Sequence, residues 1–238
     1  MASVRSLLLI ADIGGYTDFM RMHRMSLAHA EVNTSRMLEK VIDAVPDFDL
    51  IEIEGDAAFL ARQVDTSDGD ASVERTLDAA VSMHRAFHLE RHYVATNLCP
   101  CDGCTTTTNL KLKFVAHIGE VATQTIRQQR KLVGIDVILV HRLLKNPIEV
   151  PEYVLMSEEL YRTHRAPLPA PAREISHELE GIGPVRGYFV NVSPVTDSLP
   201  PPPDPPLFGR IGRTLGVASS GLPYMLGLRR SRRSLAPH

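Results

Sequence analysis

A chain of 238 residues with 44% hydrophobic content and a formal charge of −2 can fill one core, and its charge excludes a dedicated nucleic-acid binder. The charge is uneven: Arg210, Arg213, Arg229, Arg230, Arg232 and Arg233 lie beyond Leu207, where there is no acid, and subtracting those six from −2 leaves the rest at −8. No apolar run is long enough to span a bilayer and no signal pattern is present, so a cytoplasmic protein is expected, without nucleic acid among its partners.

The first element is Ser6–Thr17, SLLLIADIGGYT. The run Leu7–Ile10 reads as a strand buried on both faces, delivering Asp12 into a turn at Gly14 and Gly15. A carboxylate at a strand end can bind a hard cation, and glycines let backbone N–H groups approach phosphate oxygens. That makes Ile13, Gly14, Gly15, Tyr16 and Thr17 a candidate cofactor-binding segment. The same residues also suit a plain turn in which Asp12 caps a helix. Asp18–Ala44 then carries apolar residues at spacings of three and four, an amphipathic helix or helix pair.

Asp49–Leu60 reads as a hairpin with an acidic tip, Glu54–Gly55–Asp56. If the hairpin lies beside the first strand, Asp12 and Asp56 converge, and two carboxylates repel unless a cation sits between them. A long helix is expected from Ala71 to about Val94; His84, His88 and His92 share one of its faces, read here as solvated. Cys99, Cys101 and Cys104, the three cysteines of the chain, follow in CPCDGC. Three thiols so close point to metal or redox chemistry, with zinc wanting a fourth ligand from His92, Asp102 or a second subunit. A flexible polar loop through Asn109 is the other reading.

Leu110–His117 alternates like a half-buried strand, with Ile118–Gly119 turning it toward a partner, Glu120–Ile126. A helix follows from Gly134 to Leu144, stopped by Asn146–Pro147. Then come a strand from Tyr153, a short helix at Ser157–Thr163, and strands Arg173–Leu179 and Val185–Val192. The order suits an α/β, or α+β, sandwich with helices packed on a mixed sheet. Residues 1–198 form the expected domain, the Pro-rich stretch 199–206 a stiff linker, and 207–238 a basic, flexible tail. That tail reads either as a weak contact with an anionic membrane or as a solubilising end.

ADIGGYTDF and EGDAAFLA resemble the two metal-binding segments of the class III adenylyl and guanylyl cyclases. FVAHIGEV, LVGIDVILVHRLL and YVLMSEELY are similar to later segments of that family, in family order, from about Leu7 to Val192. The resemblance implies the ferredoxin-like cyclase fold and a homodimer that shares its pocket. It also implies a two-metal site for Mg²⁺ or Mn²⁺ on Asp12 and Asp56, a purine nucleoside triphosphate as ligand, and Arg142 as the transition-state arginine. The chain departs from the family pattern: Glu52 replaces a purine-reading lysine, Lys131 an adenine-reading aspartate, Ile138 the ribose-orienting asparagine and Glu180 a triphosphate lysine. The expectation is a divergent cyclase-like protein, set apart by its cysteine triplet, that binds a purine nucleotide or acts as a regulatory module with weak or no turnover. An active adenylate or guanylate cyclase, and a metal or redox sensor centred on the cysteines, are the alternatives.

Overall fold

The structure, a computed structural model, describes residues 3–22, 27–64, 69–99, 101–127, 129–164, 167–194 and 204–225. They divide into two compact units, one drawn from Met1–Gly14, Leu38–His88 and Lys111–Pro201, the other from Gly15–Met37, Leu89–Leu110 and Pro202–His238.

The first unit contains a mixed sheet with helices packed on it. Its strands are β1 (Val4–Gly14), β2 (Asp49–Glu54), β3 (Ala57–Gln63), β4 (Lys111–Ile126), β5 (Gln129–Val133), β6 (Tyr153–Ser157), β7 (Arg173–Leu179) and β8 (Gly183–Asn191). The order across the sheet is β2-β3-β1-β4-β6-β8-β7, with β5 paired to β4. β1 is central and runs antiparallel to both neighbours, while β4 and β6 are parallel. Side chains alternate along a strand, so a strand with both faces covered must be apolar throughout. Leu8 and Ile10 join Phe59, Val115, Leu155, and Val140 and Leu143 of helix α5 (Ile135–Leu143) in one core cluster. Leu7 and Leu9, which point to the opposite face, are equally buried.

Two sequence expectations change here. Gly119 makes no turn: β4 runs unbroken for 16 residues and is buried on both faces over most of its first half. Gly119 is needed there because the Asp136 carboxylate sits over its Cα, where an added Cβ would lie 2.2 Å from Asp136 Cγ. The turn comes instead at Arg127, at φ +57, which leads into β5.

Helix α1 (Tyr16–Met22) belongs to the second unit, whereas α2 (Leu27–Asp43) and α3 (Gly69–Ala95) run through both. The cysteine segment is not a loose loop. It forms a short helix α4 (Asp102–Thr105) and a 3₁₀ turn (Thr106–Asn109) in which Cys104 and Thr107 are fully buried. The basic tail also differs from expectation, since α7 (Leu207–Met225) is helical despite its glycines. Arg213 explains part of this: its Nη1 lies 2.6 Å from the buried Glu90 carboxylate, and its guanidinium stacks 4.5 Å above the Tyr93 ring. The Pro-rich stretch up to Pro203 and the arginines from Arg229 onward lie outside the described residues. Among the described residues, no helix is long and apolar enough to cross a membrane.

Candidate functional site

The β2–β3 hairpin turns through Gly55 and Asp56, with Gly55 at φ +65, as a two-residue loop requires at its first position. The Ile13 N–H donates to the Asp56 carbonyl over 3.2 Å, and Asp12 pairs in register with Ala57. The two carboxylates are therefore neighbours, as the sequence implied. The sequence did not show what pairs with Asp12 from its other side. Asp12 is also the register partner of Lys113 on β4, and Lys113 Nζ sits 3.0 Å from Asp12 Oδ2, both side chains largely buried. Burial, and then the charge of Asp12, push the Asp56 carboxyl up to about 6. Burial acts to lower the Lys113 ammonium, but Asp12, with lesser help from Tyr153 and Asp56, holds it above its ordinary value.

In the segment expected from the sequence to bind a cofactor, Ile13 is buried and Gly14 ends β1 opposite Lys111. Gly15, at φ +83, accepts from the Phe19 N–H as α1 begins, and Tyr16 and Thr17 form the first turn of that helix. Glu52 is bound by Lys131, whose Nζ lies 2.9 and 3.1 Å from the two carboxylate oxygens. Two of the positions that depart from the cyclase pattern thus satisfy each other.

Arg142 ends α5 and lies against the β7–β8 turn, where a Cβ on Gly181 would be 3.5 Å from Nη1. That nitrogen is buried and has no hydrogen-bond partner among the described residues. Phe114 is level with Val154, Ser157 with Gly187, and Gly183 lies four residues beyond. The turn is thus about eight residue steps, roughly 26 Å, along the strands from Lys113. One copy of the chain does not bring Arg142 to Asp12.

Two buried polar networks complete the first unit. His117 Nδ1 lies 2.8 Å from Ser157 Oγ and Nε2 lies 3.0 Å from Asp136 Oδ1, while Asp136 Oδ2 accepts from the Glu120 N–H. The order Ser, His, Asp resembles a hydrolytic triad, but the Ser157 hydroxyl is buried and accepts from the Leu160 N–H as the N-cap of helix α6 (Glu158–Tyr161). It is a structural clamp. The histidine face of α3 departs from expectation. His84 is buried, and its Nε2 and that of His88 lie 3.2 and 2.7 Å from the Glu152 carboxylate. Glu152 also accepts from the Leu112 N–H and the Ser193 hydroxyl. Burial opposes its ionisation, yet hydrogen bonds from His84 and His88 hold the carboxyl well below the usual range. Only His92 is outward, paired with Asp204 at 2.9 Å.

In the second unit the cysteines gather around His29, a residue the sequence did not single out. Cys99 Sγ and Cys101 Sγ are 3.3 Å apart, and His29 Nδ1 lies 3.4 Å from Cys101 Sγ and 3.9 Å from Cys99 Sγ. With Cys104, all four potential ligand atoms lie within 4.8 Å of one another. His92 is occupied by Asp204, and Asp102 is exposed, so neither supplies the fourth atom.

Residues 34–153 match the family described as "Protein of unknown function (DUF2652)". The chain is 35% identical over 199 residues, 83% of its length and 91% of the other, to the Mycobacterium tuberculosis (strain ATCC 25618 / H37Rv) protein named "Uncharacterized protein Rv2561/Rv2562". Among solved structures it is similar to the guanylyl cyclase Cya2, with a TM-score of 0.60 and 14% identity over 79% of this chain and 92% of that one. It is also similar to the guanylate cyclase domain of RhGC from Catenaria anguillulae in complex with GTP, with a TM-score of 0.58 and 14% identity over 80% and 98% of the two chains. At such identity the likeness is one of fold.

Proposed function

We propose, from the premise that this chain belongs to the DUF2652 family and has a nucleotide cyclase fold, that it is a nucleotide-binding or regulatory module that makes little or no cyclic nucleotide. The observation that carries this reading is Lys113. A pair of carboxylates that recruits Mg²⁺ or Mn²⁺ must be free to meet the ion, since these cations are held by oxygen ligands. Here an ammonium already sits 3.0 Å from Asp12, and burial together with the charge of Asp12 disfavours the ionised form of Asp56. As they stand, Asp12 and Asp56 do not fit a two-metal centre. The Glu52–Lys131 pair works in the same direction, because it binds internally two side chains at positions that in cyclases face the purine.

Arg142 keeps a buried donor without a partner among the described residues, at the sheet end opposite Asp12. A ligand that touches both must therefore be held between two copies, which supports a homodimer. Ile135 and Ile138 on α5, 61% and 48% exposed, are apolar surface that a second copy would cover.

The test uses the full chain with ATP or GTP and saturating Mn²⁺, with products separated by mass. The expected result is no cyclic nucleotide and no Mn²⁺-dependent rise in melting temperature. Lys113→Met, which frees the carboxylates, is expected to acquire that rise. Vigorous synthesis of cyclic AMP or cyclic GMP by the unmodified chain overturns the reading.

A further inference from the structure

We propose that His29, Cys99, Cys101 and Cys104 form a closed tetrahedral zinc site that holds the second unit together. Zinc takes thiolate at about 2.3 Å and imidazole at about 2.0–2.1 Å, so tetrahedral geometry places two sulfurs about 3.8 Å apart and a sulfur and a nitrogen about 3.5 Å apart. The two sulfur–nitrogen separations, 3.4 and 3.9 Å, straddle the expected value, and the Cys99 and Cys101 sulfurs, at 3.3 Å, lie somewhat closer than two zinc-bound thiolates. With Cys104 within 4.8 Å of the other three ligand atoms, the side chains close on an ion with shifts of about 1 Å or less. Three sulfurs and one imidazole select zinc over Mg²⁺ or Mn²⁺, which prefer oxygen. Four protein ligands leave no position open for water or substrate, which makes the role structural.

The surrounding backbone is shaped to present these atoms. The Cys101 carbonyl accepts from the Cys104 and Thr105 N–H groups at 2.9 and 3.1 Å, winding the segment so that Cys104 comes back toward Cys101. The Cys99 N–H donates to Asn97 Oδ1 over 2.6 Å, fixing the entry to the loop. On α2, His29 and Asn33 are four residues apart and so share a face. Asn33 is fully buried, and its Nδ2 donates to the Gly103 carbonyl over 2.9 Å and approaches Cys104 Sγ at 3.5 Å. An amide N–H aimed at a sulfur is the outer-shell contact that steadies a metal-bound thiolate. Asn33 is thus a positioning residue and His29 a ligand. The site owes nothing to the cyclase reading and stands or falls independently of it.

The experiment is elemental analysis of the full chain purified under reducing conditions without chelator, followed by exchange with Co²⁺. One zinc per chain is expected, and the cobalt form should show the intense visible bands of a tetrahedral ion with sulfur-to-metal charge transfer. His29→Ala should weaken zinc binding more than about tenfold and alter the cobalt spectrum. His29→Cys should retain stoichiometric metal, which separates ligation from a merely structural histidine. Asn33→Ala should weaken binding while leaving the charge-transfer bands in place. Failure of the unmodified, reduced chain to take up stoichiometric zinc overturns the proposal. So does zinc affinity unchanged in His29→Ala, or a Cys99–Cys101 disulfide persisting in the reduced preparation.

Discussion

Replacing Asp56 with asparagine removes a charge from the neighbourhood of Asp12 while keeping the shape of the protonated acid. In the folded chain this carboxyl titrates at about 6, against 3.8 when unperturbed. Two units correspond to a ceiling of about 3 kcal/mol at 1.36 kcal/mol per unit. Asp56 is only partly buried, so solvent screening reduces this to about 1–2 kcal/mol. The sign follows from linkage. A raised folded pKa means that the folded state holds its proton longer than the unfolded chain, so stability is fully present below about pH 4 and is lost as pH rises through about 6. Asp56→Asn is free of that loss. It should be more stable than the parent by about 1–2 kcal/mol at pH 7.5, a rise of roughly 2–8 °C in melting temperature for a chain of this size. The advantage should shrink toward zero at pH 4. Thermal and urea unfolding of both proteins between pH 4 and 7.5, in the presence of chelator, give the comparison, and other titrating groups cancel in the difference. A variant less stable than the parent at pH 7.5, or one whose advantage does not change with pH, would refute the argument from burial and Asp12.

Glu152→Gln should destabilise by about 2–4 kcal/mol near neutrality, because it strips a buried carboxylate from His84 and His88. Since the folded pKa of Glu152 is depressed, that contribution is present above pH 4.5 and fades as the solution is acidified, which urea midpoints at pH 7 and pH 4 will show. Gly119→Ala should cost about 1–3 kcal/mol, read as a lower urea midpoint at constant slope, because the new methyl collides with Asp136 and breaks its bond to the Glu120 N–H. Ser157→Ala removes the cap of α6 and one partner of His117, and should cost about 1–2 kcal/mol in the same measurement.

The strands and helices of the first unit were legible because apolar periodicity, turn residues and caps act locally. The strand before Asp12, the acidic hairpin and the α5 helix that stops before Asn146–Pro147 all follow from neighbouring residues. The failures come from partners far away in the chain. Gly119 beside Ile118 reads as a break, yet it is the absence of a side chain under Asp136, seventeen residues on, that the strand requires. His84 and His88 read as a wet face because nothing nearby announces Glu152. The convergence of Asp12 and Asp56 could be inferred from their strand ends, but Lys113 lies opposite Asp12 only in the β1–β4 register, which no local pattern fixes. His29 is 72 residues from Cys101, and Asn33, four residues on, is the one local hint that this helix face meets something polar.

β4 leads two lives along its length. Its 16 residues extend roughly 53 Å. Up to Val121 it is zipped to β1 in the middle of the sheet, whereas Ala122–Ile126 pair only with β5 among the described strands. Opening the outer ribbon breaks those few pairs and the Lys131–Glu52 bond, a small fraction of what holds the inner half. Amide hydrogens on one continuous strand should therefore exchange by different events: those near Lys113 by global unfolding, those beyond Val121 by a local and much cheaper fluctuation. Asp12 thus lies beside the end of β4 that should stay quiet, while the far end of the same strand should open locally.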